Sequence, residues 1–337
     1  MEYTGRGFKT LMKTIYYAFK DVPSLRYSIS GNQNDNESNE SNLSNWDFSS
    51  GVETFSNIFI PSLPFQSPSW LPKPLKHIIF RGDSRLIPSK LQRMNKKYFI
   101  FVNGILTPES LIEVNRKFLE DIFYEPFDIL HNASDSLPVD LIESAIGKQY
   151  TKLSEPGYVL FTALARKILD PNVDKVVVIA HSQGTIITSN VLKALADCGI
   201  NHNQKEHLKK LEIYMVANCS SDTKYIDQDN QLPYIENISN RGDFVPYLGS
   251  LSRLNFPIDG KHIISEKKGH MFNKSYFNNF RNEMQNSKLY NYLPNINNSC
   301  INDVEIGVSQ FSYEEEDLEI PIIDIDDAEV ELGSNIR

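Results

Sequence analysis

Cysteine is scarce. Cys198, Cys219 and Cys300 are odd in number and lack metal-ligand spacing, which argues against a secreted disulfide framework and against a thiolate metal site. Cys198, placed in a helix, and Cys219, just after a strand, are expected to be buried free thiols. Long apolar runs are missing too: none reaches the ~18 residues of a membrane span. No basic-then-apolar leader with a cleavage site opens the chain. The expectation is a soluble, intracellular protein of the cytoplasm. A basic surplus is also absent. The net charge of -9 belongs to residues 313–337, which hold ten acidic side chains and one arginine, leaving 33 acidic and 33 basic elsewhere. A neutral body gives no argument for nucleic acid as a partner. No internal repeat is visible.

What is present divides the 337 residues into four stretches. Residues 1–29 contain a basic amphipathic segment at 6–20, where Phe8, Leu11, Met12, Ile15 and Phe19 share one side. Such a helix can make peripheral contact with a membrane surface or dock on the protein's own body, the plainer reading. Residues 30–74 begin with an Asn, Ser and Glu-rich linker and continue as a proline-rich strap, too polar and too broken to form a core. Residues 75–295 carry the periodic segments, and 296–337 read as an acidic tail.

Within 75–295, strands are expected at 76–81, 97–102, 127–130, 176–180, 212–217, 234–238 and 262–265. Helical spacing appears over 108–123 and, with breaks at Gly147 and Pro156-Gly157, over 139–169. Strands alternating with helices predict an α/β fold, with a mostly parallel central sheet covered by helices on both faces.

One stretch organises the rest. Val176 to Ala180 is an unbroken apolar, mostly β-branched run, as in a buried parallel strand. Past Gly184, Ile187, Val191, Leu192 and Leu195 recur at helical intervals. Only a few residues separate strand from helix, so Ser182 is expected on a sharp turn with its hydroxyl exposed and a helix N-terminus behind it. Ala180-His181-Ser182-Gln183-Gly184 resembles the nucleophile elbow of the α/β-hydrolase superfamily, in its lipase and serine-esterase branch, with alanine for the first glycine.

The resemblance implies an α/β-hydrolase fold and a base and an acid in the order Ser, Asp or Glu, His. His202 and His207 come too early, and His262 stands at the start of the last strand. His270, preceded by Gly269 and following that strand, matches the family's base. Asp243, in the turn Arg241-Gly242-Asp243-Phe244-Val245, matches the acid, with Asp222 and Asp227, one strand earlier, as competitors. Oxyanion donors would be the backbone N–H of Gln183 and that of Ile105, in an Asn103-Gly104-Ile105 loop where relatives carry His-Gly-x. His181 is read as packing. The resemblance implies no metal and no organic cofactor.

Two functions follow. One is a serine hydrolase acting on a carboxylic ester of a lipid or other apolar acyl group, through an acyl-enzyme on Ser182. The other is a non-catalytic binding or scaffold protein on the same fold. Residues 131–160 are long enough for a lid, with Leu137, Val139, Leu141, Ile142 and Ile146 as apolar candidates to line an entrance.

Overall fold

A computed structural model of the chain describes residues 84–104, 109–132, 153–198 and 205–294. The amphipathic segment 6–20, the linker and strap, the strand expected at 76–81, Ile105, most of the lid stretch and the acidic tail lie outside them.

Seven strands form one sheet: β1 (Arg85–Ile87), β2 (Lys97–Val102), β3 (Phe127–His131), β4 (Lys175–His181), β5 (Leu211–Val216), β6 (Tyr234–Gly242) and β7 (Lys261–Lys268). Their order is β1-β3-β2-β4-β5-β6-β7. Among the described residues, only β1 runs antiparallel, against β3, pairing Leu86 with Leu130. The protein is an α/β protein with a mostly parallel sheet. β1, Arg85-Leu86-Ile87, is only three residues long, too short for an alternation to be legible in the sequence.

The central strands β2, β4 and β5 are largely apolar on both faces because both are covered. Ile100, Val178 and Met215 face one layer, packed against Leu160, Leu164 and Ile168 of α2 (Glu155–Leu169) and Val191 and Leu195 of α3 (Gln183–Asp197). Their chain neighbours Phe101, Val177 and Tyr214 face the other. There they meet Ile112 and Leu119 of α1 (Glu109–Phe123) and the C-terminal aromatics Phe272, Phe277 and Phe280. Each such side chain contributes about 1.5–3 kcal/mol by leaving water.

Three expectations need correction. Pro156-Gly157 does not break a helix: α2 begins there, with Pro156 in its first turn, where the missing N–H removes no bond. Helices do not alternate with every strand. A loop from 217 to 233 joins β5 to β6, its Asp227 N–H bonded to the Leu232 carbonyl at 2.9 Å, because Ser220-Ser221-Asp222 and Asp227-Gln228-Asp229-Asn230 carry no apolar face for a helix to bury. Cys198 caps the end of α3 and is exposed, whereas Cys219 is buried as expected. Last, α4 (Lys205–Lys210) is a short turn of helix leading into β5. Among the described residues, no helix is long and apolar enough to cross a membrane.

Candidate active site

The groups that converge here all come from the carboxyl ends of strands. β2 is followed by Asn103-Gly104, β3 by Asn132, β4 by Ser182 and β6 by Asp243, and β7 leads through Gly269 to His270.

Ser182 links β4 directly to α3, and the reversal forces it to φ 55°, ψ −124°. A non-glycine residue there costs on the order of 1–3 kcal/mol and persists only where neighbours over-determine it. They do. The Ser182 N–H donates to the Val216 carbonyl at 3.0 Å, and its own carbonyl accepts from the Thr185 N–H at 2.9 Å. The same carbonyl accepts from the Thr185 hydroxyl at 2.6 Å and from the Cys219 thiol at 3.3 Å. Two small residues make room for the turn. A Cβ on Gly184 would lie 2.4 Å from the Val102 carbonyl oxygen, and one on Gly104 would lie 2.8 Å from the Ser182 Cβ. The serine is 4% exposed, so the turn is seated against the β2 loop and the histidine, and the hydroxyl is not the projecting group the sequence suggested.

His270 reaches across to it. Its Nε2 lies 3.1 Å from the Ser182 Oγ, and its Nδ1 lies 2.8 Å from the Asp243 Oδ2. A carboxylate can only accept, so the Nδ1 carries the proton and the Nε2 is left to accept from the serine. Gly269, at φ 101°, turns the chain from β7 back toward the serine, a conformation that costs a residue without a Cβ little. Asp243 is fully buried. Its other oxygen accepts from the Val245 N–H at 3.0 Å, so the loop Phe244-Val245 fixes the carboxylate.

The structure thus brings Ser182, His270 and Asp243 into one hydrogen-bonded line. The competing acids are elsewhere: Asp222 pairs with Lys193 at 3.1 Å, and Asp227 caps its own turn through Asn230 at 2.7 Å. Of the other histidines, His262 is exposed on β7 and His207 is bonded to the Ile168 carbonyl at 3.0 Å. His202 and Ile105 lie outside the described residues.

At the opposite side of the serine, Gln183 opens α3 with its backbone N–H at the positive end of the helix. Its side chain accepts from the Asn132 amide at 2.5 Å, while the Asn132 backbone N–H donates to the Asn103 Oδ1 at 2.8 Å. Asn103 therefore braces the ends of β2 and β3 against each other. No local pattern singles out Asn132, because the contact spans 51 positions.

His181 packs as expected and does more. Its ring stacks on His270 with centroids 4.7 Å apart, and its Nε2 donates to the His270 carbonyl at 3.0 Å. Burial, and then the charge His270 can carry, hold His181 well below the usual histidine range. It stays a neutral donor that anchors the backbone of its neighbour. Among the described residues, no group of three or more His, Cys, Asp or Glu side chains is arranged to hold a metal ion. No protein-family model and no curated protein matches the chain.

Proposed function

We propose that the protein is a serine hydrolase of the α/β-hydrolase fold, cleaving a carboxylic ester through an acyl-enzyme on Ser182. One observation carries the reading: the continuous line Ser182 Oγ, His270 Nε2, His270 Nδ1, Asp243 Oδ2, at 3.1 and 2.8 Å, with its serine on a strained strand-to-helix turn. A serine hydroxyl is a weak nucleophile until an adjacent base can take its proton. The imidazole takes that proton as the oxygen attacks the carbonyl, then delivers it to the leaving alcohol. Asp243 keeps the proton of the free base on Nδ1 and stabilises the imidazolium. Water then repeats the cycle on the acyl-enzyme. The developing oxyanion would be received by the N–H of Gln183, with the N–H of residue 105 as the expected second donor.

A lipid or other apolar acyl ester is the proposed substrate class, a choice that rests on the apolar residues between positions 137 and 146. The mechanism calls for no metal and no organic cofactor. Fluorophosphonate labelling tests the reading directly. Adduct on Ser182 in the wild type, absent in Ser182→Ala, supports it; an unlabelled wild type with a folded site overturns it in favour of a non-catalytic binding protein. A panel of p-nitrophenyl esters of rising chain length then reads the acyl preference.

A further inference from the structure

Beyond serine, histidine and aspartate, the hydrogen-bonded line carries a fourth group. Tyr276 lies on the single π-helical turn Phe272–Phe277 that follows His270 and is buried. Its hydroxyl donates to the Asp243 Oδ2 at 2.7 Å, the oxygen that also accepts from His270 at 2.8 Å. From the other side, the backbone N–H of Asn240 donates to the phenol oxygen at 3.3 Å. With that acceptor position occupied and an acceptor-only carboxylate in front, the phenol proton has one destination. Asn240 also fixes the turn itself. Its amide donates to the Ser275 carbonyl at 3.1 Å and its Oδ1 accepts from the Ser265 hydroxyl at 2.5 Å, so β6, β7 and the turn share one residue. Burial, and then the charge of Asp243, hold the Tyr276 phenol well above the usual tyrosine range. It remains a donor throughout the pH range in which a histidine titrates.

We infer that Tyr276 is a positioning residue for the acid–base pair: its hydroxyl sets where the Asp243 Oδ2 stands and, by sharing that oxygen, tempers how strongly the carboxylate favours the imidazolium form of His270. The catalytic consequence rests on the serine hydrolase reading; the electrostatic one rests on the hydrogen bonds alone. Two donors on one oxygen divide its charge, and a carboxylate relieved of one bonds the other more strongly. A general base works best when its own titration lies near the working pH, so a restrained carboxylate keeps more of the imidazole neutral and ready to accept.

Other groups surround the pair. His181 faces it from β4 as a neutral ring. Arg241 pairs with Glu266 at 2.8 Å and Lys267 pairs with Glu283. Lys268 runs past Gly242, Lys274 stands on the π turn, and Tyr247 gives its hydroxyl to the Arg241 carbonyl at 3.1 Å. His270 and Tyr276 are the two described side chains that bond the Asp243 Oδ2, so Tyr276 is the group to change.

The experiment follows the His270 ring by NMR titration in full-length wild type and Tyr276→Phe, its resonance assigned by its loss in His270→Gln. Fluorophosphonate labelling of Ser182 is measured across the same pH range. In Tyr276→Phe the ring's midpoint should rise by about half a unit to one unit, and the acid limb of labelling should move with it. Tyr276→3-fluorotyrosine keeps the ring and strengthens the donor, so the midpoint should fall; that variant carries the test if the phenylalanine protein does not fold. An unmoved midpoint in both, with only a lowered melting temperature, means that Tyr276 is packing and overturns the inference. A moved midpoint in a protein whose Ser182 never labels keeps the coupling and overturns the hydrolase reading instead.

Discussion

The sheet holds buried carboxylates at both of its ends, and their surroundings differ in where the bonded donors lead. At the amino end, Glu212 of β5 accepts from Lys175 and Lys288 at 2.8 Å on one oxygen. Its other oxygen accepts from Tyr214 and Tyr292 at 2.9 Å. Its neighbour Glu236 on β6 accepts from the Tyr234 and Ser287 hydroxyls and the Lys288 N–H. At the carboxyl end, Asp243 also accepts from three donors, one of them a tyrosine. The number of bonds is similar. The difference lies in what stands behind the donors. Lysines and tyrosines end the network around Glu212, and buried Tyr214 is held far above the usual phenol range by burial and then by Glu212. Behind Asp243 the donor is an imidazole whose second nitrogen meets a hydroxyl, so a proton taken at one end of the line is felt at the other. Satisfying a carboxylate makes an anchor; satisfying it with a histidine that has a second partner makes a relay of influence.

Substitutions at the two ends should therefore separate activity from stability. Ser182→Ala or His270→Ala should each lower ester hydrolysis by about 10⁴-fold or more with the melting temperature kept, and the double variant should be little worse, because the two act as one unit. Asp243→Asn should cost about 10²–10⁴-fold, since an amide behind the ring favours the wrong tautomer, while Asp222→Asn should leave rates near those of the wild type. Equal losses from Asp243→Asn and Asp222→Asn, read as kcat/KM on one ester, would dissolve the distinction between them.

At the other end the loss should fall on the fold. Glu212→Gln leaves two ammonium groups without their buried counter-charge and should cost about 1–3 kcal/mol, below the value for a fully buried pair because both lysines are partly exposed. Thermal melts measure this, and the folded fraction should keep its specific activity. Burial pushes the Glu212 carboxyl up, but Lys175, Lys288 and Tyr292 pull it down further, so it lies below the ordinary glutamate range. A depressed carboxylate contributes stability that is present above its unfolded value and lost as pH falls through the folded one. Melting temperature should consequently fall on acidification below about pH 4–5 in the wild type and fall less in Glu212→Gln. A parallel pair of curves would mean that Glu212 is not the sensor.

The glycines sharpen the same contrast on a smaller scale. Gly184→Ala drives a Cβ into the Val102 carbonyl, a backbone atom that cannot rotate away, and should destabilise by about 1–3 kcal/mol. Gly104→Ala instead presses on the Ser182 side chain and should lower the rate more than the melting temperature. Chemical denaturation alongside ester assays distinguishes the two.

How much of this could be read from the sequence varied with the range of the interaction. The β4 run and the helix spacing after it are local patterns, and the turn between them fell on Ser182 as expected. Gly269-His270 and Asp243 were reachable because each follows a strand whose apolar core is visible, although β6 and β7 run on to Gly242 and Lys268. Their final residues are polar and in part exposed, so the pattern fades before the strand does. Tyr276, Asn132 and Thr185 gave no such signal. A tyrosine at helical spacing reads as core, and nothing within a few residues of Tyr276 announces a carboxylate 33 positions away. Cys219 reads from the sequence as a buried free thiol, and its bond to the Ser182 carbonyl was not legible because it spans 37 positions.

The placement of β7 carries a consequence for how the site fails. Ser182 follows β4, in the middle of the sheet, but His270, the proposed base, hangs from β7, the last of the described strands, whose alternate residues are exposed and which has β6 as its sheet neighbour. Outer strands with half-wet ladders belong to the fraying, low-energy openings of a fold. When β7 and the π turn loosen together, His270 departs from a serine that is still held in place. Heat inactivation should then run ahead of unfolding, with the amides of β7 exchanging with deuterium at temperatures where those of β4 remain protected.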